Sequence, residues 1–288
     1  MSPSSNLPLW IDTDNALGAK FGDIDDAFAI SLLLKSKVSV LGISNIFGNT
    51  FQSSAYQNSL SLAKLCDYRG PVFKGADHWW SKESTAAQEL INLKEDFRFV
   101  GLGPLTNLAL ALRNEKLDTK KIKEVIFVGT NVHHQLPTMR WFDFNIWKDW
   151  RSAKMVFDSE IPITLVPCDV ARKLRFSFQD VLRIQGELGS YLQTASTRWF
   201  WRALFLKFSR TVPVWDLLAA IYVLSPELFS VQEMNVTING RGQVSMSKSA
   251  GKQFKIISGF KELEARQLYF NTLYTEPKAP SQCPIIFL

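Results

Sequence analysis

The chain has 288 residues, enough for one large α/β domain or two small ones, and 46% hydrophobic with 21% charged residues is the composition of an ordinary globule. No apolar run approaches the roughly 18 residues of a membrane span, and residues 1–6 carry neither a basic stretch nor an apolar core, so neither a membrane protein nor a secretory signal is expected. The net charge of +6 comes from scattered basic residues, Lys120, Lys121 and Lys123 among the denser groups, without interleaved stacking aromatics, which argues against a nucleic-acid partner.

In chain order, residues 9–12 read as a strand, 25–34 as a helix, 38–44 as a β-branched strand and 53–66 as a helix. Strands follow at 72–74 and 97–101, a helix at 105–113, a strand at 124–128, a helix at 150–157 and a strand at 163–166. Residues 178–224 are mainly helical. Late strands at 229–238, 243–246 and 254–257 suggest a small antiparallel excursion, and a last helix spans 262–273. This βαβα rhythm predicts a single α/β domain over residues 1–288, with an open, mostly parallel, doubly wound sheet and a helical region after the core strands. Residues 275–288 form a weakly specified tail. Cys66, Cys168 and Cys283 are far apart and odd in number, which fits reduced thiols in a cytoplasmic protein.

The most informative feature is acidic. Asp12, Asp14, Asp23, Asp25 and Asp26 fall within fifteen residues at the end of the first apolar strand. So much negative charge needs a counter-ion, and a hard divalent cation held by oxygen ligands is the simplest one. The carboxyl end of a strand in an open α/β sheet is also where ligands bind. The competing reading makes these acids helix caps and surface charge, with Asp23 capping the helix that begins near Asp25.

Five segments, in order, resemble the nucleoside hydrolases, which cleave the N-glycosidic bond of ribonucleosides using a bound calcium ion. The family opens with D-x-D-P-G-x-D-D-A; here the match is Asp12-Thr13-Asp14 and Asp25-Asp26-Ala27. Phe47-Gly48-Asn49 follows the second strand, and Gly103-Pro104-Leu105-Thr106-Asn107-Leu108 is close to a G-P-L-T-N segment. Asp143-Phe144-Asn145 resembles an E-F-N motif, and Trp215-Asp216 with Pro226-Glu227-Leu228-Phe229 resembles H-D-P…P-E-L-F. The resemblance covers about residues 8–230.

The resemblance implies Ca²⁺ held by Asp14, Asp26, Asp216 and the Leu102 carbonyl, with Asp14 also the general base on the attacking water. It implies that Asp25 and Asn49 hold the ribose hydroxyls, that Asp143 and Asn145 grip the other side of the sugar, and that Asp12 orients the cluster from behind. It further implies a small-molecule nucleoside substrate and a homo-oligomer, dimer or tetramer. Cleavage passes through an oxocarbenium-like sugar, which nearby carboxylates stabilise.

The departures are specific. Residues 15–24 replace the family's Pro-Gly; their glycines would let the segment loop out and return to the same metal, at the mouth of the site where it would reshape the pocket. The family's histidine before the last acid, a leaving-group acid in purine-preferring members, is Trp215. The base-closing loop after Asp77 is largely missing. Candidates for the base pocket are Val128, His133, His134, Trp199, Trp201 and Trp215; the blander readings are surface histidines and a core aromatic stripe. Cys168 has no paired histidine and reads as an inert thiol. Two rivals stand beside the hydrolase: a nucleoside-binding protein that has lost turnover, and an aspartyl-phosphate phosphatase, which shares D-x-D but has no use for the Asp-Phe-Asn and Trp-Asp elements.

Overall fold

The computed structural model describes residues 7–19, 22–132, 143–248 and 250–273. Its first half runs β1 (Leu9–Thr13), α1 (Asp25–Lys35), β2 (Val40–Asn45), α2 (Gln52–Leu65), β3 (Val72–Lys74), α3 (Thr85–Asn92), β4 (Phe97–Gly101), α4 (Thr106–Leu112), β5 (Ile122–Val128), α5 (Phe144–Lys148), α6 (Trp150–Asp158) and β6 (Ile163–Val166). Then come α7 (Cys168–Ala171), β7 (Arg175–Ser177), α8 (Phe178–Leu182), α9 (Gly186–Lys207), β8 (Thr211–Pro213), α10 (Trp215–Leu224), β9 (Phe229–Ile238), β10 (Val244–Ser247), β11 (Gln253–Phe260) and α11 (Glu262–Leu273).

The nine-stranded sheet has the order β10-β9-β11-β6-β5-β4-β1-β2-β3. From β11 to β3 neighbouring strands are parallel; β9 is antiparallel to β11 and β10, which is the expected antiparallel excursion. The chain fills the sheet outward from β1 to β3, then returns to lay β4, β5 and β6 on the other side of β1. The order therefore reverses at β1 and β4, and an open sheet has its ligand crevice outside the carboxyl ends of the strands at such a point.

Each face of the sheet is covered. One apolar layer includes α1, α10 and α11 with Phe28, Leu217, Ile221 and Tyr269, and the other includes α3, α4 and α6 with Leu90, Leu108 and Phe157. Helix α1 is apolar nearly all round after its two leading acids, and it is buried because α10 and α11 pack over it. The twin consequence is positional: α1 and α10 begin at the same end of the sheet and each carries acid in its first turn.

Local patterns missed α3, α5, the four-residue helix α7, and strands β7 and β8. Helix α3 is capped by the Ser84 hydroxyl, which accepts from the Ala87 N–H, and α5 is a five-residue helix. Strands β7 and β8 form a separate two-stranded antiparallel sheet. Residues 15–24 also depart from expectation. Among its described residues, 15–19 and 22–24, the segment packs inward: Ala16 and Leu17 are buried, Leu17 joins the α1–α10 layer, Gly18 at φ +81° comes up to Ala195 of α9, and the Asn58 side chain of α2 donates to the Asn15 carbonyl. Two apolar residues in a row turn the segment inward. Among the described residues no helix is long and apolar enough to cross a membrane.

Candidate active site

Asp12 ends up at 0% exposure beside the switch point, its Oδ1 accepting from Ser44 Oγ (2.5 Å) and Asn107 Nδ2 (2.8 Å). Ser44 in turn accepts from Trp10 Nε1, and Asn107 Oδ1 accepts from the Ala76 N–H and Ser84 Oγ. The G-P-L-T-N segment thus ties strand β1 to the loop after β3. Asp14 Oδ2 accepts from the Asn49 N–H at 2.6 Å. That approach is why residue 48 is glycine: a Cβ there would lie 1.9 Å from Asp14 Oδ2. Asn49 is held by its backbone, half-buried, with its side chain left for other work.

The remaining acids come from two helix N-termini. Asp25 and Asp26 open α1, Asp216 sits in the first turn of α10, and the Asp216 N–H donates to Asp25 Oδ2 (3.2 Å). Thr13 Oγ1 donates to Asp26 Oδ1. Both helix ends direct partial positive charge at the cluster. Asp23 does not cap α1: the N-cap position is Ile24, without a side-chain cap. Instead Asp23, Asp25 and Asp26 each bring a carboxylate oxygen within 4.8 Å of the other two. Asp23 is close enough to share a proton with Asp25, and Asp216 with Asp26.

Charge repulsion here is severe. Burial pushes the Asp12 and Asp14 carboxyls up to about 7, opposed by the Ser44, Asn107 and Asn49 hydrogen bonds. Burial also raises Asp25, and burial with the neighbouring carboxylates holds Asp23, Asp26 and Asp216 well above the usual range. Asp14 Oδ1, Asp23 Oδ1, Asp25 Oδ1 and Asp26 Oδ2 are buried without a hydrogen-bond partner among the described residues. Carboxyl oxygens that are crowded, buried and unsatisfied, and that hold protons in the cation-free fold, fit a hard divalent cation that would displace those protons.

A pH dependence follows for the cation-free protein. Between roughly pH 4, where an unfolded aspartate ionises, and about 7, where Asp12 and Asp14 ionise in the fold, the native state holds protons that the unfolded state has released. Stability therefore falls as pH rises through that window. In EDTA the melting temperature should drop from pH 5 to pH 8, and excess calcium should flatten the slope. A melting temperature that rises with pH in EDTA would contradict this electrostatic picture.

The opposite wall comes from β4, β5 and α5. Asn145 Nδ2 donates to the carbonyls of Leu102 (2.9 Å) and Val128 (3.0 Å), bridging the ends of β4 and β5. Asp143 caps α5: its Oδ1 accepts from the Ile146 N–H and its Oδ2 from the Thr130 N–H (2.9 Å) and Cys168 Sγ (3.1 Å). Burial raises Asp143. Burial and the adjacent Asp143 drive the Cys168 thiol well above its usual range, so it is no nucleophile at neutral pH.

Trp199 and Trp215 line one small cavity with Arg175, Arg202 and Pro213. The structure does not bring Trp201 there. It is 54% exposed, stacks on Phe205 at 5.3 Å and lines a different cavity with Phe178 and Phe200, because positions 199 and 201 face different sides of α9. His78 is exposed and contacts Asp77 and Trp80. His133, His134, Trp141 and Cys283 lie outside the described residues.

Residues 9–266 match the family model of the inosine-uridine preferring nucleoside hydrolases. The chain belongs to that family. It is 25% identical over 271 residues to uridine nucleosidase 1 of Arabidopsis thaliana, covering 81% of this chain and 79% of that protein. It is 26% identical over 258 residues to the pyrimidine-specific ribonucleoside hydrolase RihA of Shewanella woodyi, covering 76% and 82%. Its fold superimposes on the purine-preferring ribonucleoside hydrolase of Gardnerella vaginalis with a TM-score of 0.81 at 17% identity, over 92% of this chain and 98% of the other. A metal-dependent family acting on N-glycosyl bonds gives the acidic cluster its context.

In this nucleoside hydrolase, Asp12, Asp14, Asp25, Asp26 and Asp216 gather at one place, with the Leu102 carbonyl joined through Asn145 to the far wall. Three supporting side chains were not singled out from sequence, Thr13, Ser44 and Asn107, while Asp23 was named among the clustered acids but given no role at the site. Thr13 and Asn107 lie inside the motifs themselves, and polar residues flanking a buried acid are the signal that finds them.

Proposed function

We propose that the chain hydrolyses the N-glycosidic bond of a ribonucleoside in a calcium-dependent reaction, with Asp14 as general base. The observation that carries this reading is the set of unpartnered buried oxygens on Asp14, Asp25 and Asp26 at the β1–β4 switch point, next to Asp216. Asp14, Asp26, Asp216 and the Leu102 carbonyl would hold the cation. When bound, it supplies a counter-charge that orients the sugar hydroxyls and acidifies a nearby water. Asp14 Oδ2 is fixed by the Asn49 N–H, which leaves Oδ1 to take the proton of that water. Asp25 and Asn49 would bind the ribose hydroxyls from one side. Asp143 and Asn145 would do so from the other, Asn145 exchanging a carbonyl partner for the sugar. Trp199 and Trp215, with Val128 and the loop histidines His133 and His134, would form the base subsite.

Relatives act on uridine, pyrimidine ribonucleosides or purine ribonucleosides by name, so the deciding assay is a panel of nucleosides read by release of reducing sugar. Ribose release that EDTA abolishes and calcium restores is the expected result. Tight nucleoside binding without turnover would instead support the binding-protein reading, which Trp215 favours by removing a proton donor. Phosphate release from a phosphomonoester would point to a phosphatase. Against that outcome, Asp12, the acid that would be the phosphatase nucleophile, is fully buried with Oδ1 engaged by Ser44 and Asn107.

The free thiols Cys66 and Cys168 suit a cytoplasmic setting. The exposed apolar run Trp201, Phe205, Leu206 and Phe208 at the end of α9 suits a homo-oligomer. Sedimentation as a monomer at assay concentration would remove the last point.

A further inference from the structure

The family pattern has no acid between its first and second acidic pairs, but here residues 15–24 end in Asp23. Resting on the cation reading above, we infer that Asp23 is an additional carboxylate ligand to the same cation, delivered by the inward-folded segment. Three observations carry this. Asp23, Asp25 and Asp26 offer oxygens all within 4.8 Å of one another, a spacing that one cation with ligands at about 2.3–2.6 Å can bridge; Asp26 is shared with the site proposed above, and Asp14 and Asp216 stand outside this group but within electrostatic reach of Asp23. Asp25 and Asp26 are 2% and 1% exposed, and each keeps one oxygen without a partner in the group, as does Asp23 Oδ1. The Asp23 side chain has no capping duty to explain its position, since Ile24 occupies the N-cap of α1.

The segment is built to hold it there. Ala16 and Leu17 anchor the near end in the core, and the Asn15 carbonyl is tied to Asn58. At the far end Gly22 packs on Ala16, where an added Cβ would come within 2.3 Å of the alanine methyl. Asp23 is thereby returned to the cluster immediately before α1. An added anionic ligand raises affinity for a doubly charged ion and favours one that accepts many oxygens, as calcium does.

The test is a calcium titration of wild type, Asp23→Asn and Asp23→Ala by calorimetry, repeated with terbium luminescence. The alanine variant is needed because an asparagine carbonyl can still act as a ligand. We expect one ion per chain in wild type, with Kd raised about tenfold or more in Asp23→Ala and by less in Asp23→Asn. In EDTA the variants should melt no lower than wild type, since a repelled charge is gone. A Kd within twofold of wild type in both variants would overturn the inference while leaving the cation site in place. Two ions per chain in wild type, falling to one in Asp23→Ala, would also overturn it, in favour of a separate second site. Wild type that takes up neither ion would bring down the cation reading itself, so the two failures are distinguishable.

Discussion

Asp14→Asn should lower kcat by about 10² or more, measured at saturating calcium and nucleoside, while the protein stays folded. The expectation rests on how the carboxylate is held. One oxygen is pinned by the Asn49 N–H at 2.6 Å, a contact possible only because residue 48 has no side chain. The other oxygen is buried and unpartnered. An amide can reproduce the first contact, because its carbonyl oxygen accepts from Asn49, but it then presents N–H groups where a proton must be received. The variant also removes one member of a crowded set of anions, so its melting temperature in EDTA should match or exceed that of wild type. Calcium affinity should fall as well, which is why the comparison is made at saturation. Turnover near the wild-type value under those conditions would remove Asp14 as the base. A variant that melts well below wild type in EDTA would show that Asp14 is structural.

The parts of this architecture written in local pattern were legible. Strands β3, β4, β6 and β9 and helix α11 fall on the residues that periodicity selects, because each pairs a regular apolar pattern with a clear break. The acids after β1 and at the start of α1 were legible too, since a charge cluster after an apolar strand has few explanations, whereas Asp216 of α10 was legible only through the resemblance to the family. What failed depended on partners distant in sequence. The three-residue strands β7 and β8 pair Arg175 with Pro213, and nothing within either segment alternates enough to announce a strand. Asp23 was counted in the acidic cluster, but just before a helix it could equally be a cap, and the sequence could not choose between the two. Only the inward packing of Ala16 and Leu17 turns it toward Asp25 and Asp26, and two apolar residues in a glycine-bearing insert do not reveal what they will pack against. Trp201 belongs with the same failures: proximity in sequence to Trp199 said nothing about which side of a 22-residue helix it would face.

Departure of the base should be this enzyme's weakest step. Trp215 replaces the histidine that donates a proton in purine-preferring members of the family, and an indole N–H is far too weak an acid to do so. The cavity it shares with Trp199 offers aromatic faces, the flanking guanidinium groups of Arg175 and Arg202, and the Trp199 Nε1, which is buried without a partner among the described residues. Arg175 is already committed to Thr211 and Ser209. Such a wall can stack on a base, each aromatic pair adding roughly 0.5–1.5 kcal/mol beyond burial. It cannot neutralise the charge that develops on a purine as the bond breaks, and general acid catalysis of that step is worth about 10²–10⁴-fold. Inosine should therefore be a poor substrate. p-Nitrophenyl riboside, whose leaving group needs no proton, should exceed it in kcat/KM by about 10² or more. Replacing Trp215 with histidine should narrow that gap by raising inosine turnover selectively, whereas Trp215→Phe should leave the ratio nearly unchanged because it preserves stacking alone. Should wild type cleave inosine as efficiently as the activated riboside, a proton donor must exist elsewhere, and His133 and His134 are the residues to replace next.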